Sequence, residues 1–229
     1  IDTYRAPIEK ARLLTIDHSD ALMSDLPQVK EEVRKISDAL AVVRVPADRH
    51  VEEIVLRLVH SGAEIIHIAA DCCGREIGGQ AGSERLLKDI IRAVHLRLVE
   101  ERMRDEVTII ASGGIAMAEH VPKAMLCGAD LTAVDIPLMI ALGARVTEKP
   151  EMQLMFPEKL DKVPVPVLIQ RMVNLMGAWH SQLLEVMGAM GIREARRLRG
   201  ESGRAIFFEE VDRDTFGKLF RKNREAVSR

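Results

Sequence analysis

Val107-Thr108-Ile109-Ile110-Ala111-Ser112-Gly113-Gly114-Ile115 is the stretch that decides the fold. Its first five residues are apolar or β-branched without a polar partner face, the pattern of a parallel strand buried on both sides. The run ends directly in Ser-Gly-Gly. Apolar residues at helical spacing follow from Glu119 to Cys127, and Gly128 stops them. A strand, a glycine turn and a helix in that order make a βα unit. Its turn lies at the carboxyl end of the strand, where parallel α/β folds bind their ligands.

The same alternation runs outward in both directions. Upstream lie Leu13-Leu14-Thr15-Ile16, Ala41-Val42-Val43-Arg44-Val45 and Ile65-Ile66-His67-Ile68-Ala69; downstream lies Leu131-Thr132-Ala133-Val134. Helical spacing is expected over Val29 to Leu40 and Val51 to His60, and from an N-cap at Ser83 through Leu86, Ile90, Ile91, Val94 and Leu98. Steps of about 23, 42 and 26 residues between strands fit βα units, one with a long loop. The fold class is therefore α/β with a parallel sheet.

After Asp135 the texture changes. Pro150, Pro157, Pro164 and Pro166 punctuate a linker expected over 146–166, and helical patterns at Val167 to Met190, Ile192 to Leu198 and Arg213 to Ala226 make 167–229 a helical tail. Met172, Met176, Met187 and Met190 fall at helical spacing and read as core filler. The parallel unit occupies 1–145.

Bulk properties exclude several classes. A net charge of -2 gives no basic excess for phosphate backbones, and the arginines at 193, 196, 197, 199 and 204 are interleaved with Glu194, Glu201, Glu209 and Glu210. No nucleic-acid partner is expected. No apolar stretch reaches the roughly 20 residues of a membrane helix, and no signal peptide opens the chain. The three cysteines, Cys72, Cys73 and Cys127, form no disulfide framework. A cytoplasmic location is the expectation. The chain begins at Ile1 and not Met, which fits either a missing natural start or a processed one.

Three strand-end loops and one strand residue carry candidate chemistry. Glycines in Ser112-Gly113-Gly114 let backbone N–H groups approach an anion, although a tight βα turn also requires glycine. The loop from Asp71 to Gly82 gathers four glycines, Asp71, Arg75 and two adjacent cysteines; it suits a ligand loop or lid, or a flexible surface connection. Asp135-Ile136-Pro137 follows the last strand. Arg44 interrupts an apolar strand, and its guanidinium is expected to meet a ligand anion or a carboxylate such as Asp71.

These residues also carry a family resemblance. Ala111 to Ile115, His120-Val121-Pro122-Lys123-Ala124 and Cys127-Gly128-Ala129-Asp130 are similar to the last two βα units of FMN-dependent (β/α)8, or TIM, barrels, which include glycolate and lactate oxidases, IMP dehydrogenase and glutamate synthase. Glutamate synthase is the nearest in pattern. Ser61 to Ile66 with the Gly74 to Gly82 loop resembles its Ala-Asp-Ile-Ile strand and glycine-rich loop. Ala141-Leu142-Gly143 resembles its Ala-Leu-Gly-Cys, and Met187 to Gly191 with Arg196 to Arg199 resembles the post-barrel helices of archaeal-type chains. The resemblance spans residues 26 to 200, with Ser112 to Asp130 its most specific part.

It implies the carboxy-terminal portion of the barrel, five of eight βα units, followed by a helical appendage. It implies an FMN-dependent oxidoreductase forming glutamate from 2-oxoglutarate and ammonia or glutamine nitrogen. The alternatives are another FMN- or phosphate-binding barrel oxidoreductase, or a non-catalytic barrel subunit. Carried over by position, Ser112, Gly113 and Gly114 hold the FMN phosphate, and Arg44 replaces the lysine near the flavin pyrimidine. The candidate catalytic residues are Arg44, Asp71 and Arg75; the candidate cofactor-binding residues are Arg44, Ser112, Gly113, Gly114 and Asp135. Electrons are expected from a donor protein or an amino-terminal segment, and the protein is expected to be an oligomer.

Two positions depart from the family pattern. Asp135 follows the last strand, and a carboxylate about 4 Å from a phosphate costs about 4 kcal/mol at an effective dielectric of about 20, roughly three decades of affinity. Ala144 stands where the family places its first iron–sulfur ligand, and no cysteine follows it, so no cluster and no other metal site is expected in this chain.

Overall fold

The computed structural model describes residues 11–36, 39–79, 84–147, 153–156 and 160–201. All five expected strands form: β1 (Leu13–Asp17), β2 (Leu40–Pro46), β3 (Ile65–Ala69), β4 (Thr108–Ser112) and β5 (Leu131–Thr132). They make one parallel sheet in chain order, β1 to β5. Each connection carries a helix except at the ends: α1 (Asp20–Ile36), α2 (Val51–His60), α3 (Leu87–Glu100) and α4 (His120–Cys127). Two further helices follow, α5 (Ile136–Ala141) and α6 (Val165–Ala189).

The helices cover one face of the sheet. Val43, Val45, Ile66, Ile68 and Ile109 point to that side and join Leu26, Val55, Leu58, Ile90 and Val94 in the main core. Complete burial of such side chains contributes about 1.5–3 kcal/mol each, which is what holds α1 to α3 on the sheet. The other face is only partly covered, with Val42 buried on it. Leu13, Leu40 and Leu131 are each about half exposed on it, and Arg44 shares their side. The expectation of strands buried on both faces is therefore corrected. A closed barrel fills its interior with side chains from all its strands; five strands leave that inward face partly open.

Several boundaries differ from the sequence expectation, each for a local reason. Helix α1 starts at Asp20, not Val29, and runs through Pro27. Burial of Leu22 and Leu26 outweighs the lost backbone bond, and Ser19 Oγ accepts the Leu22 N–H at 3.3 Å to start the helix. Helix α3 starts after Leu86, which is extended and makes no side-chain cap bond; the expected cap, Ser83, lies outside the described residues. Helix α2 matches its expected span, with Glu52 and Glu53 in its first turn and Arg57 and His60 in its last, complementing its dipole.

The region read as a linker contains a short antiparallel pair, β6 (Arg145–Thr147) with β7 (Gln153–Met155). The tail is helical as expected, but Ile192 to Leu198 contributes only a 3-10 turn at Ala195–Leu198, and Arg213 to Ala226 lies outside the described residues. The methionine stripe splits. Met187 is buried with Met125, Leu126 and Leu198, whereas Met176 is exposed, as are Val165, Ile169 and Val173 along the same helix. Only the last turns of α6 pack on α4, so core filler is the correct reading for Met187 and the wrong one for Met176.

Candidate functional site

The carboxyl ends of β3, β4 and β5 bring the expected loops to one edge of the sheet. Ala111 pairs with Thr132, and the Ala133 N–H donates to the Ala111 carbonyl at 2.9 Å. Gly113 and Asp135 thus leave neighbouring strands two residues beyond a shared contact.

Gly113 and Gly114 have φ values of +98° and +66°, a region other residues enter only under strain. A Cβ on Gly113 would stand 2.5 Å from the Asp71 carbonyl oxygen, and one on Gly114 would stand 2.6 Å from the Gly74 Cα. The β3 loop therefore fits against the glycines so closely that the fold alone requires them. The turn reading of Ser-Gly-Gly is thus accounted for, and the backbone N–H groups of Gly113 and Gly114 have no acceptor among the described residues. These two consecutive donors stand at the head of the βα turn, where an anion could accept from them.

Sequence reasoning passed over His67. Its Nε2 lies 2.7 Å from Ser112 Oγ. In the register it stands beside Arg44, and Asp17 lies beyond Arg44. Burial first, and then the Arg44 guanidinium, push the imidazole below the usual histidine range. A neutral histidine, a serine hydroxyl and a guanidinium thus line the open face. A single polar residue in an apolar strand was the signal available, and Arg44 had drawn attention to the same row.

Arg44 itself is corrected in two respects. Its side chain is half exposed, and its Nε donates to Asp17 Oδ1 at 2.6 Å instead of to Asp71. Exposure on the inner face removes the desolvation cost that a buried guanidinium would carry. Asp71 serves the loop backbone: its Oδ1 accepts the N–H groups of Cys73 at 2.9 Å and Arg75 at 2.7 Å. Arg75 reaches Glu84 at 3.5 Å. Asp71 and Arg75 are thus engaged in shaping the turn, while Arg44, His67 and Ser112 stand together.

The described part of the β3 loop is tied down, contrary to a free flap. The Ile77 N–H donates to the Ala47 carbonyl and the Glu76 N–H to the Arg85 carbonyl, both at 2.9 Å. Arg85 binds Glu76 at 2.8 Å, the Asp48 carbonyl at 3.1 Å, and Glu52 in the first turn of α2. The Glu76 carboxyl is held below the usual carboxylate range by its hydrogen bond with Arg85.

Asp135 turns toward its own helix. Its Oδ1 accepts the Ile136 N–H at 2.6 Å, capping α5, and Pro137 removes another donor from that helix start. No group of three or more potential metal-ligating side chains is clustered among the described residues. No helix among them is long and apolar enough to cross a membrane.

A glycine turn after one strand, beside a short helix after the next, is the usual phosphate-site layout of (β/α)8 barrels. Residues 16–193 match the family model described as the conserved region in glutamate synthase. The chain belongs to the glutamate synthase family. It is 30% identical over 207 residues to the archaeal glutamate synthase (NADPH) of Methanocaldococcus jannaschii, covering 82% of this chain and 39% of that protein. Identity to the corresponding protein of Archaeoglobus fulgidus is 27% over 192 residues, covering 76% and 37%. The chain thus spans about two fifths of the length of these relatives. In fold it is similar to a mutant flavocytochrome b2 solved with benzoylformate, at a TM-score of 0.51 and 13% identity over 82% of this chain and 41% of that one. The glutamate synthase family assignment and this likeness agree on a TIM-barrel-like parallel α/β sheet, with a helical segment at the carboxyl side.

Proposed function

We propose that this chain supplies the phosphate end of an FMN site in a glutamate synthase-like oxidoreductase. The observation that carries the reading is the pair of backbone N–H groups at Gly113 and Gly114, which have no acceptor among the described residues and are set in a cradle that a Cβ would fill. They donate to the phosphate, and Ser112 Oγ adds a third donor, oriented by His67. Arg44 gives positive charge along the inner face where an anionic reduced flavin gains most from it. FMN, when bound, supplies two-electron hydride transfer. The substrates that follow from the family are 2-oxoglutarate and nitrogen from ammonia or glutamine, with electrons from a donor protein or another segment of the polypeptide. Further strands, from the same polypeptide or a partner, pair with the edge strands β1 and β5 and close the barrel around the face that exposes Leu13, Leu40 and Leu131.

A second reading is favoured by Asp135. Its carboxylate occupies the first donor of α5 and places negative charge at that helix start. That suits a non-catalytic barrel subunit. Flavin titration separates the two. The oxidoreductase reading expects FMN to bind the protein containing this chain in equimolar amount, with 2-oxoglutarate then oxidising the reduced flavin. Flavin binding without that oxidation points instead to another FMN-dependent barrel oxidoreductase. No flavin binding by a folded protein leaves the non-catalytic subunit.

A further inference from the structure

Cys72 and Cys73 are adjacent, free and exposed, and the flavin reading gives them no task. They occupy the two central positions of a tight turn, closed by the Gly74 N–H donating to the Asp71 carbonyl at 3.0 Å. Asp71 Oδ1 holds the turn from the other side through the N–H groups of Cys73 and Arg75. The two thiols are carried by neighbouring residues of one turn, and burial, then the neighbouring thiol, raise the Cys72 pKa above the usual thiol range. Directly behind the turn lies the glycine pair. A Cβ on Gly74 would stand 3.3 Å from the Gly113 carbonyl oxygen, and one on Gly114 would stand 2.6 Å from the Gly74 Cα. The cysteine turn and the glycine turn therefore cannot shift independently.

We propose that Cys72 and Cys73 form a reversible dithiol–disulfide site, oxidised by low-molecular-weight disulfides of the glutathione class, whose state sets the geometry of the Gly113–Gly114 turn. One cysteine thiolate attacks a sulfur of the small disulfide, forms a mixed disulfide and expels one small thiol. The second cysteine thiolate then attacks the protein sulfur of that mixed disulfide and expels the other. Two protein thiols and one small disulfide become one vicinal protein disulfide and two small thiols; two electrons and two protons pass to the small molecule. Neighbouring Cα atoms stand about 3.8 Å apart across a trans peptide, closer than the roughly 4.4–6.8 Å that relaxed disulfides span. The ring is strained and easily reduced, which suits a switch and not a structural staple. Closing it rotates the Cys72–Cys73 peptide, and Gly74 carries that rotation to Gly114.

The test equilibrates the full chain over a range of glutathione to glutathione disulfide ratios, quenches by alkylation and weighs the peptide that contains both cysteines. The expected result is joint loss of both alkylation sites, with a peptide lighter by about 2 Da, while buried Cys127 stays reduced. A persistent glutathione adduct, or no oxidation at the most oxidising ratio, overturns the site. Backbone amide chemical shifts of Gly113, Gly114 and Ile115 are then compared between the two states by nuclear magnetic resonance. A displacement of these resonances is expected on disulfide formation, absent in Cys73→Ser under the same oxidant. Unmoved resonances in the oxidised chain overturn the coupling.

Discussion

His67 Nε2 and Ser112 Oγ lie 2.7 Å apart on neighbouring strands. The register pairs His67 with Ile110 and Ser112 with Ala69, so this bond runs diagonally up the open face toward the glycine turn. His67→Ala frees the serine hydroxyl from its orientation. A neutral hydrogen bond contributes about 0.5–1.5 kcal/mol net, so FMN affinity is expected to fall about 2- to 12-fold. His67→Gln, which can still reach the hydroxyl, is expected to recover part of it. Quenching of flavin fluorescence measures both; unchanged affinity in His67→Ala removes the histidine from the site.

Asp135 caps α5 and also places negative charge beside the proposed phosphate. Asp135→Asn keeps an acceptor for the Ile136 N–H and removes the charge, so the helix is expected to be retained. One charge about 4 Å away contributes about 1 kcal/mol through bulk water, so FMN is expected to bind about fivefold more tightly at low salt. The gain should shrink at high salt, where the exposed carboxylate is screened. A titration series in sodium chloride checks it; equal affinities at low salt mean that the carboxylate faces away from the phosphate.

The five strands were legible because each is a run of β-branched residues whose helix-facing half must be apolar, as Val43, Ile66 and Ile109 are. Their other half misled, since Leu40 and Leu131 carry the apolar pattern of a barrel interior on a face left partly open here. The Ser112-Gly113-Gly114 turn was legible for the same reason that it is constrained: only glycine tolerates its backbone and its contact with Gly74. Tertiary pairing was not legible. Nothing local shows that Arg44 meets Asp17 in place of Asp71, or that His67 meets Ser112 across 45 residues. The short β6–β7 hairpin escaped because its strands are three residues each, too short for a period to register.

Arg104 is the one buried charged residue among those described, and it ties the start of β4 to the end of α4 and the start of β5. Its guanidinium donates to the carbonyls of Val107 and Gly128 and to Asp130 Oδ2, all at 2.7 Å. Arg199, beyond α6, binds the other Asp130 oxygen at 3.0 Å and Asp105 at 2.6 Å, anchoring the tail beneath the sheet. Removing one partner of a buried pair costs about 3–5 kcal/mol, so Arg104→Met is expected to lose at least about 3 kcal/mol in urea unfolding. Arg199→Ala breaks more exposed bonds and is expected to cost about 1 kcal/mol. Equal losses for the two variants contradict this ranking.

His95 makes the same cluster sensitive to acid. Its Nδ1 accepts from Arg104 Nε at 3.2 Å, which an imidazolium cannot do. Burial, then the charges of Arg104, Arg92 and Arg199, lower its pKa to about 4, with Asp130 opposing. An unfolded histidine titrates near 6.5, so between those values the unfolded chain binds more protons than the folded one. Stability is therefore complete above about pH 6.5 and is lost as pH falls toward 4. The full shift corresponds to about 3.4 kcal/mol; because the residue is only partly buried, solvent screening reduces the expected loss to about 1.5 kcal/mol. Carboxylates titrate over part of the same range, so the measurement is a difference. Urea unfolding of the native chain and of His95→Gln is compared at pH 7.5 and at pH 4.5. The native chain is expected to lose about 1.5 kcal/mol more than the variant between the two; parallel losses place the acid sensitivity elsewhere.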